Sequence, residues 1–430
     1  MKIGYLLQQD VDIRTPPFSG PAQHVREVVE GLRGRGHGIR VLFRLQGRLW
    51  KTDDLQTFAP VTVRELDQGP NRLLERAIRR AQYQLRLPYA AFFESRRFAR
   101  ACQQELPHCD LLFERMSWFD FGGVLAARRL GIPLILENNG DHLADLEAKG
   151  LAPRGLQRRL SVAIVRWVVA HTAHVVVSGE GWREAFLQRW QIPPQEVTTV
   201  ENGTVLTRLL AREQLKSFRE PPANEPMPTV VYLGSFQPWQ GVPVLLRALK
   251  RVQTAGADAR LILIGAGAGS AEAQALVDQL GLQKMVTFKG RLLPRDYAPV
   301  LAAADIGVAP YCGWPEFSGL KLFDYKAAGL AVVASGQNGH PPTLSHGETG
   351  WIVPPCDEES LALAIMTLAG DPALRRRLAR AARLEAERVH DWSHTVQQLE
   401  EVFEKVLGRR ADAFANVAAA YPQTATESRA

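Results

Sequence analysis

The chain has 430 residues, a length for two to three domains, and 46% hydrophobic against 23% charged residues is ordinary globular usage. It excludes a wholly disordered chain and a collagen-like or proline-rich one. The net charge of +7 is mild for this length, a slight bias toward polyanionic partners. The four cysteines, none in a C-x-x-C pair, build neither a disulfide framework nor a zinc ribbon and read as reduced thiols of a cytosolic protein.

From the start of the chain, MKIGYLL (1–7) predicts a buried strand and lacks the long apolar core of a signal peptide. Strand-like runs follow at 39–43, 111–114, 134–137, 174–177 and 198–201, with amphipathic stretches at 22–35, 89–106, 122–130 and 155–170 between them. Such alternation predicts right-handed βαβ units and a parallel sheet over 1–206. The longest apolar stretch, 161–177, is interrupted by Arg166, His171 and His174 and falls short of a membrane span. Residues 207–228, containing REPPANEP, predict an interdomain linker.

The alternation restarts over 229–390, with runs at 230–233, 261–264, 286–288, 306–309, 331–334 and 351–353. Apolar residues at 242, 244, 245, 246, 249 and 252 make a helix face wide enough to cover a sheet. A last helix is expected at 391–407, with the first domain as its seat, and a disordered tail at 408–430. The predicted fold class is therefore α/β, with two doubly wound parallel-sheet domains. Ligands of such sheets bind outside the carboxyl ends of the strands, so the cleft between the domains is the expected site.

The strongest local motif is PEFSGLKLFDY (315–325), which follows the run 306–309 and leads into a helix. Ser318 and Gly319 stand where that helix begins, a place with free N–H groups where glycine lets a phosphate approach. Glu316 and Asp324, eight positions apart, can line one cleft. Spacing alone also fits an N-cap serine, a packing glycine and two solvated acids. The glycine run 265–269 follows a strand in mid-domain, whereas no G-x-G-x-x-G follows 3–7, which speaks against a dinucleotide oxidoreductase. Asp10 and Asp12 form a D-x-D in a loop, the ten histidines are scattered, and no metal is expected. Segment 71–100 holds eight arginines against two acids, interleaved with leucines and phenylalanines. It fits a core-facing helix pair with a solvated basic face better than it fits an amphipathic surface for an anionic membrane. No nucleic-acid motif accompanies it.

In order along 1–408, these motifs resemble the family 4 glycosyltransferases, retaining enzymes of the two-Rossmann GT-B fold. The matching segments are GHGI (36–39), VENG (200–203), GSFQPWQG (234–241), GAG (265–267), the acid pair and AAGLAVVA (327–334). The resemblance implies a nucleotide-diphosphate-sugar donor as substrate, no cofactor, and a glycan or lipid-linked acceptor, at the cytoplasmic face of a membrane. By motif, Asp324 would bind the donor ribose, Glu316 would sit by the donor sugar, and the Gly319 and Leu320 amides would hold the diphosphate. Gly20, Gly234, Gly265 and Ser318 would line the donor site. Ser235 and Gln240 replace the family's phosphate-binding Arg and Lys, and a subgroup with a Trp-x-Gly loop carries a lysine where Lys321 stands. Asn139 falls near the family's first-domain histidine, with Glu137 or Asp141 at hand to share its work. The replaced cations also suit a catalytically silent nucleotide-sugar-binding subunit; an epimerase of the same fold would bring more acids and histidines.

Overall fold

A computed structural model describes residues 1–420 apart from 17, 86–87, 89–90, 141, 149, 221–226, 313–318 and 336–342. The chain divides into two compact units, residues 1–178 with 182–200 and 396–430, and residues 179–181 with 201–395.

In the first unit the chain order is β1 (Lys2–Leu7), α1 (Gly20–Gly34), β2 (Gly38–Leu45), β3 (Arg48–Thr52), β4 (Ala59–Val61), α2 (Arg64–Asp67), α3 (Gly69–Gln84), α4 (Phe92–Glu105), β5 (Leu111–Arg115), α5 (Gly122–Leu130), β6 (Leu134–Asn138), α6 (His142–Ala148), α7 (Gly155–Val169), β7 (His174–Val177), α8 (Glu180–Trp190) and β8 (Val197–Thr199). The sheet order is β4-β3-β2-β1-β5-β6-β7-β8. The strands from β2 through β8 pair in parallel. β1, β5 and β6 are buried on both faces beyond Lys2, as central parallel strands are, with apolar residues leading into Glu114–Arg115 and Glu137–Asn138 at the carboxyl ends of β5 and β6. The expectation of a purely parallel sheet is corrected at one edge: β3 and β4 add antiparallel to β2.

The second unit contains α9 (Leu206–Leu209), β9 (Thr229–Leu233), α10 (Val242–Thr254), β10 (Arg260–Ile264), α11 (Ser270–Leu280), β11 (Val286–Gly290), α12 (Pro294–Ala303), β12 (Ile306–Pro310), α13 (Leu320–Ala327), β13 (Ala331–Ser335), β14 (Trp351–Ile352), α14 (Glu358–Gly370) and α15 (Pro372–Val389). Its parallel sheet runs β11-β10-β9-β12-β13-β14. One face packs on α10 through Val242, Leu245, Leu246 and Leu249, and the other on α12 and α13 through Leu301, Leu322 and Tyr325.

Three further expectations change. The segment expected as a linker is seated in this unit's core as far as its described residues go: Leu206, Leu210 and Leu215 are buried with Tyr325 and Leu330. The last helix, α16 (Trp392–Ala420), carries on through 408–420, where a disordered tail was expected. From Val396 on it lies on the first unit, with Phe403 edge-on to Phe113 at 5.0 Å and Glu400 bonded to Arg35 and His37.

The third correction concerns the cysteines. Cys312 and Cys356 are joined in a disulfide, while Cys102 and Cys109 are free. Two thiols rather than four should therefore titrate in denaturant before reduction. Closing a loop across 44 positions restricts the unfolded chain, so Cys356→Ser should lower stability by roughly 2–4 kcal/mol. Urea melts check this: reductant should shift the parent by the same amount and leave the variant unmoved.

Candidate functional site

The donor-side residues of the second unit gather where β9, β10 and β12 end. Gly234 follows β9 with φ +151° and donates its N–H to the Ile264 carbonyl at 2.9 Å. Gly265 follows β10 with φ +134°, and a Cβ there would fall inside the Gly234 carbonyl oxygen. Both are backbone conformations that glycine adopts without strain. The loop after β9 brings Gln240 against Lys321 at the start of α13.

That helix begins after Gly319. Its first intrahelical bond runs from Leu322 N–H to the Gly319 carbonyl at 2.7 Å, so the N–H groups of Gly319, Leu320 and Lys321 precede the ladder and form an anion-attracting end. The Lys321 side chain is 8% exposed and turns inward. Its Nζ donates to Gln240 Oε1 and lies 4.6 and 4.7 Å from the ring centres of Tyr232 and Tyr311. The rings offer their negative faces to the ammonium. Gly234 leaves room for it, since a Cβ there would stand 2.9 Å from Nζ. Tyr232 Oη donates to the Ser235 carbonyl at 2.7 Å, which fixes the loop that carries Gln240. Gly234, Ser235, Gln240 and Lys321 are thus brought together.

Asp324 lies one turn into α13. Thr204 Oγ1 donates to its Oδ1 at 2.6 Å and Tyr297 Oη to its Oδ2 at 2.9 Å. Burial pushes its pKa up, partly offset by the two hydroxyls, to about 6. Tyr297 and Thr204 escaped the sequence reading because they lie 27 and 120 positions from Asp324; no local pattern joins them. Glu316 and Ser318 lie outside the described residues.

In the first unit, Gly20 is the first residue of α1, after Ser19, whose Oγ accepts the Ala22 N–H. A Cβ on Gly20 would meet nothing within 4 Å, so this glycine is not required by packing. His24, one turn further, is buried with Nε2 2.7 Å from Glu137 Oε1, and Arg115 Nη1 stands 3.5 Å from Glu137 Oε2. Burial alone would raise the Glu137 carboxyl; His24 and Arg115 overcome this and hold it below its ordinary range. Burial beside that carboxylate drives the Tyr5 phenol upward. Asn139, two residues beyond Glu137, lies near this carboxylate. One buried pair therefore ties the helix that carries Gly20 to the strand that leads to Asn139. The available signal for His24 was its place on the apolar side of α1, four residues after Gly20. Asp141 lies outside the described residues.

The D-x-D loop is occupied internally: Asp10 accepts the Gln46 N–H and Asp12 accepts the Arg14 N–H and guanidinium. Among the described residues no three His, Cys, Asp or Glu side chains gather as a metal site.

Two family models match the chain: "Glycosyl transferase 4-like domain" over residues 19–203 and "Glycosyl transferases group 1" over residues 213–385. The chain belongs to the family 4-like glycosyltransferases. A curated relative, the phosphatidyl-myo-inositol mannosyltransferase of Mycobacterium leprae, is 33% identical over 222 residues, covering 51% of this chain and 57% of the relative. The match thus spans little more than half the relative's length. Among solved structures, sucrose-phosphate synthase from Thermosynechococcus elongatus superposes with a TM-score of 0.67 at 20% identity, over 95% of this chain and 100% of that one. Anabaena HepE in complex with UDP superposes with a TM-score of 0.65 at 19% identity, over 94% and 100%. These likenesses show the fold: this glycosyltransferase carries the GT-B pair of Rossmann-like domains.

Within the glycosyltransferase's first domain, the His24–Glu137 pair generates a stability prediction. Removing His24 leaves the buried Glu137 carboxylate one hydrogen bond short with Arg115 as its remaining partner, so His24→Ala should cost about 1–3 kcal/mol. Glu137 is held below its unfolded value. Its contribution is therefore present above the unfolded pKa and is lost as pH falls through the folded one. Urea melts from pH 7 down to pH 3 should show a constant gap between the parent and the His24→Ala protein above about pH 4.5 and convergence below it.

Proposed function

We propose that this glycosyltransferase moves a hexosyl group from a nucleotide-diphosphate sugar to an acceptor hydroxyl, with retention at the anomeric carbon. The observation that carries the reading is the first turn of α13. The N–H groups that open the helix, an inward-held lysine and, one turn later, a carboxylate lie along one helix at the carboxyl end of a parallel sheet. The order suits a nucleoside diphosphate, with the ribose on Asp324 and the phosphates on the Gly319 and Leu320 amides.

Charge develops on the diphosphate as the glycosidic bond breaks. Fixed dipoles and a nearby ammonium aimed at that charge stabilise the transition state more than the ground state. Lys321 supplies the ammonium that Ser235 and Gln240 do not; its hydrogen bond to Gln240 and its two tyrosine rings keep it oriented in advance. By its place in the motif Glu316 is assigned to the donor sugar, the leaving phosphate takes the acceptor proton, and Asn139 with Glu137 is assigned to the acceptor. The HepE complex with UDP supports a uridine nucleotide as a first donor to try. The M. leprae relative supports a lipid-borne acceptor.

The acceptor class suggests a place at the cytoplasmic face of a membrane. No described helix is long and apolar enough to cross one. Helix α3, however, turns Leu73, Leu74 and Ile78 outward at 65, 56 and 39% exposure, beside Arg72, Arg76 and Arg80 at i, i+4 and i+8. A cavity of about 500 Å³ next to it is lined by Arg48, Arg72, Arg76, Arg79 and Arg97 against Asp67 and Glu75. Apolar side chains beside a row of arginines match an anionic bilayer surface.

Nucleotide release from donor sugars tests the chemistry. Lys321→Ala should lower turnover by about 100-fold, since each 1.36 kcal/mol in the barrier is tenfold, and should lower nucleotide affinity less. Glu316→Gln should abolish transfer and keep affinity. A parent that binds nucleotide but neither transfers nor hydrolyses the donor would instead be a silent binding subunit. For the membrane contact, the parent should sediment with vesicles containing anionic lipid and be released by salt. Arg72→Glu with Arg76→Glu should abolish sedimentation; equal recovery on neutral vesicles would reject the contact.

A further inference from the structure

We propose that Tyr297 and Thr204 are positioning residues for the nucleotide ribose: together they hold the Asp324 carboxylate in the orientation from which it accepts the ribose hydroxyls. The inference rests on the reading of Asp324 as the ribose acceptor.

Aspartate is one methylene shorter than the glutamate usual in the resembling motif, so a ribose contact depends on where α13 and the carboxylate rotamer place its two oxygens. Each oxygen receives one hydroxyl from a different element. Thr204 approaches from the segment before α9 and bonds Oδ1; Tyr297 approaches from α12 and bonds Oδ2. Two anchors on two oxygens fix the plane of the carboxylate, which one anchor would leave free to rotate. An ionised carboxylate offers about four lone-pair sites, so one on each oxygen remains for a diol. Asp324 is half-buried on α13.

Both donors are themselves constrained. Thr204 is 2% exposed and its Oγ1 accepts the Leu206 N–H at 3.1 Å, so its one proton is directed at Asp324. The Tyr297 phenol is driven well above its ordinary pKa by burial and by the Asp324 charge, so it stays protonated and donating. Charged groups on the elements around α13 are engaged elsewhere. Arg383 of α15 donates to the Ala327, Thr207 and Leu210 carbonyls and to Glu387; Glu387 also receives Arg212. Arg208 of α9 faces Asp391, and Lys326 faces Glu385, Thr343 and His390. On α13 itself Tyr325 donates to the Val308 carbonyl. Among the described residues no lysine or arginine pairs with Asp324, so the two hydroxyls oppose burial in keeping it charged.

A readout follows that a packing role would not produce. The ionised carboxylate binds a diol better than its acid does, so affinity is present above the Asp324 pKa and lost as pH falls through it. Removing one hydroxyl raises that pKa and moves the loss to higher pH. Calorimetric titration from pH 5 to 8 with UDP, GDP and ADP, the tightest being carried forward, should show Tyr297→Phe weakening binding about tenfold at pH 7. Its pH midpoint should rise by about half a unit or more, with kcat at saturating donor changed far less than KM. Thr204→Val should act likewise and Thr204→Ser should restore parental binding. Asp324→Asn should be weak at every pH and retain only the phosphate's own titration. If Asp324→Asn is weak while Tyr297→Phe and Thr204→Val match the parent in affinity and midpoint, the positioning role is overturned and the ribose reading stands. If Asp324→Asn binds like the parent, or none of the three nucleotides binds, the ribose reading fails and the inference with it.

Discussion

The second domain depends on backbone crossing backbone at the carboxyl ends of its strands. A Cβ on Gly265 would enter the Gly234 carbonyl, one on Gly241 would enter the Pro310 carbonyl, and one on Gly267 would stand 2.8 Å from Phe236 N. Main chains this close exclude side chains, so the loops after β9, β10 and β12 are fixed by their neighbours rather than by their own packing. The Gly234–Gly265 crossing is what leaves the space that the Lys321 ammonium occupies. The Gly241 turn, φ +70°, sets Gln240 over Tyr232. The tie continues to the far side of the motif: Cys312 N–H bonds the Trp239 carbonyl at 2.8 Å, and the Cys312–Cys356 disulfide holds the same point to the loop before α14.

Legibility in the sequence followed from locality. The parallel strands were readable because β1, β5, β6, β12 and β13 are buried on both faces and so carry apolar runs. β3 and β4 were not: RLWKT carries two cations in five residues, and β4 has only three, one of them proline. They form an edge, where polar side chains and proline are tolerated. The linker was misjudged because Leu210 and Leu215 are spaced for no regular element, yet each fills the core with α12 and α13. The acid-pair motif was visible because helix geometry fixes the spacing of the residues it carries. The hydroxyls on Asp324, the rings around Lys321 and His24 across from Glu137 were invisible, since only the sheet order makes them neighbours. The disulfide is of that kind too: Cys356 reaches Cys312 because β14 joins β13, which joins β12.

Charges are buried in both domains, and each is met in a different way. Glu114 has only Gln8 to oppose its desolvation, and burial raises it to about 8, so at neutral pH it is largely a neutral, space-filling acid. Glu137, on the neighbouring strand, is met by His24 and Arg115 and keeps its charge. Lys326, wholly buried in α13, is met by Glu385 and by the Thr343 carbonyl, while His390 beside it is pushed down to about 3 and stays neutral. The difference between Glu114 and Glu137 is the difference between an acid that has one amide and an acid that has an imidazole and a guanidinium, and the latter lies next to Asn139.

On the donor-site reading proposed above, a missing cation is replaced by geometry. Neutral Ser235 and Gln240 stand where the resembling family places Arg and Lys, and a substitution there would ordinarily weaken the hold on a diphosphate. In this chain Gln240 instead directs a lysine from another element: its carboxamide oxygen accepts from Lys321 and from Tyr232 Oη. The charge has moved from the loop after β9 to the first turn of α13, beside the N–H groups that precede its hydrogen-bond ladder. An ammonium would ordinarily be disfavoured at a helix N-terminus, because like partial charges repel there. The two tyrosine faces and the Gln240 oxygen offset that repulsion in the unliganded site. A dianion bound at the same turn would meet both positive groups at once, and the repulsion between helix end and lysine would become attraction of both for the ligand. An arrangement that is unfavourable alone and favourable with an anion is selective for the charged state, which is what departure of a nucleoside diphosphate requires.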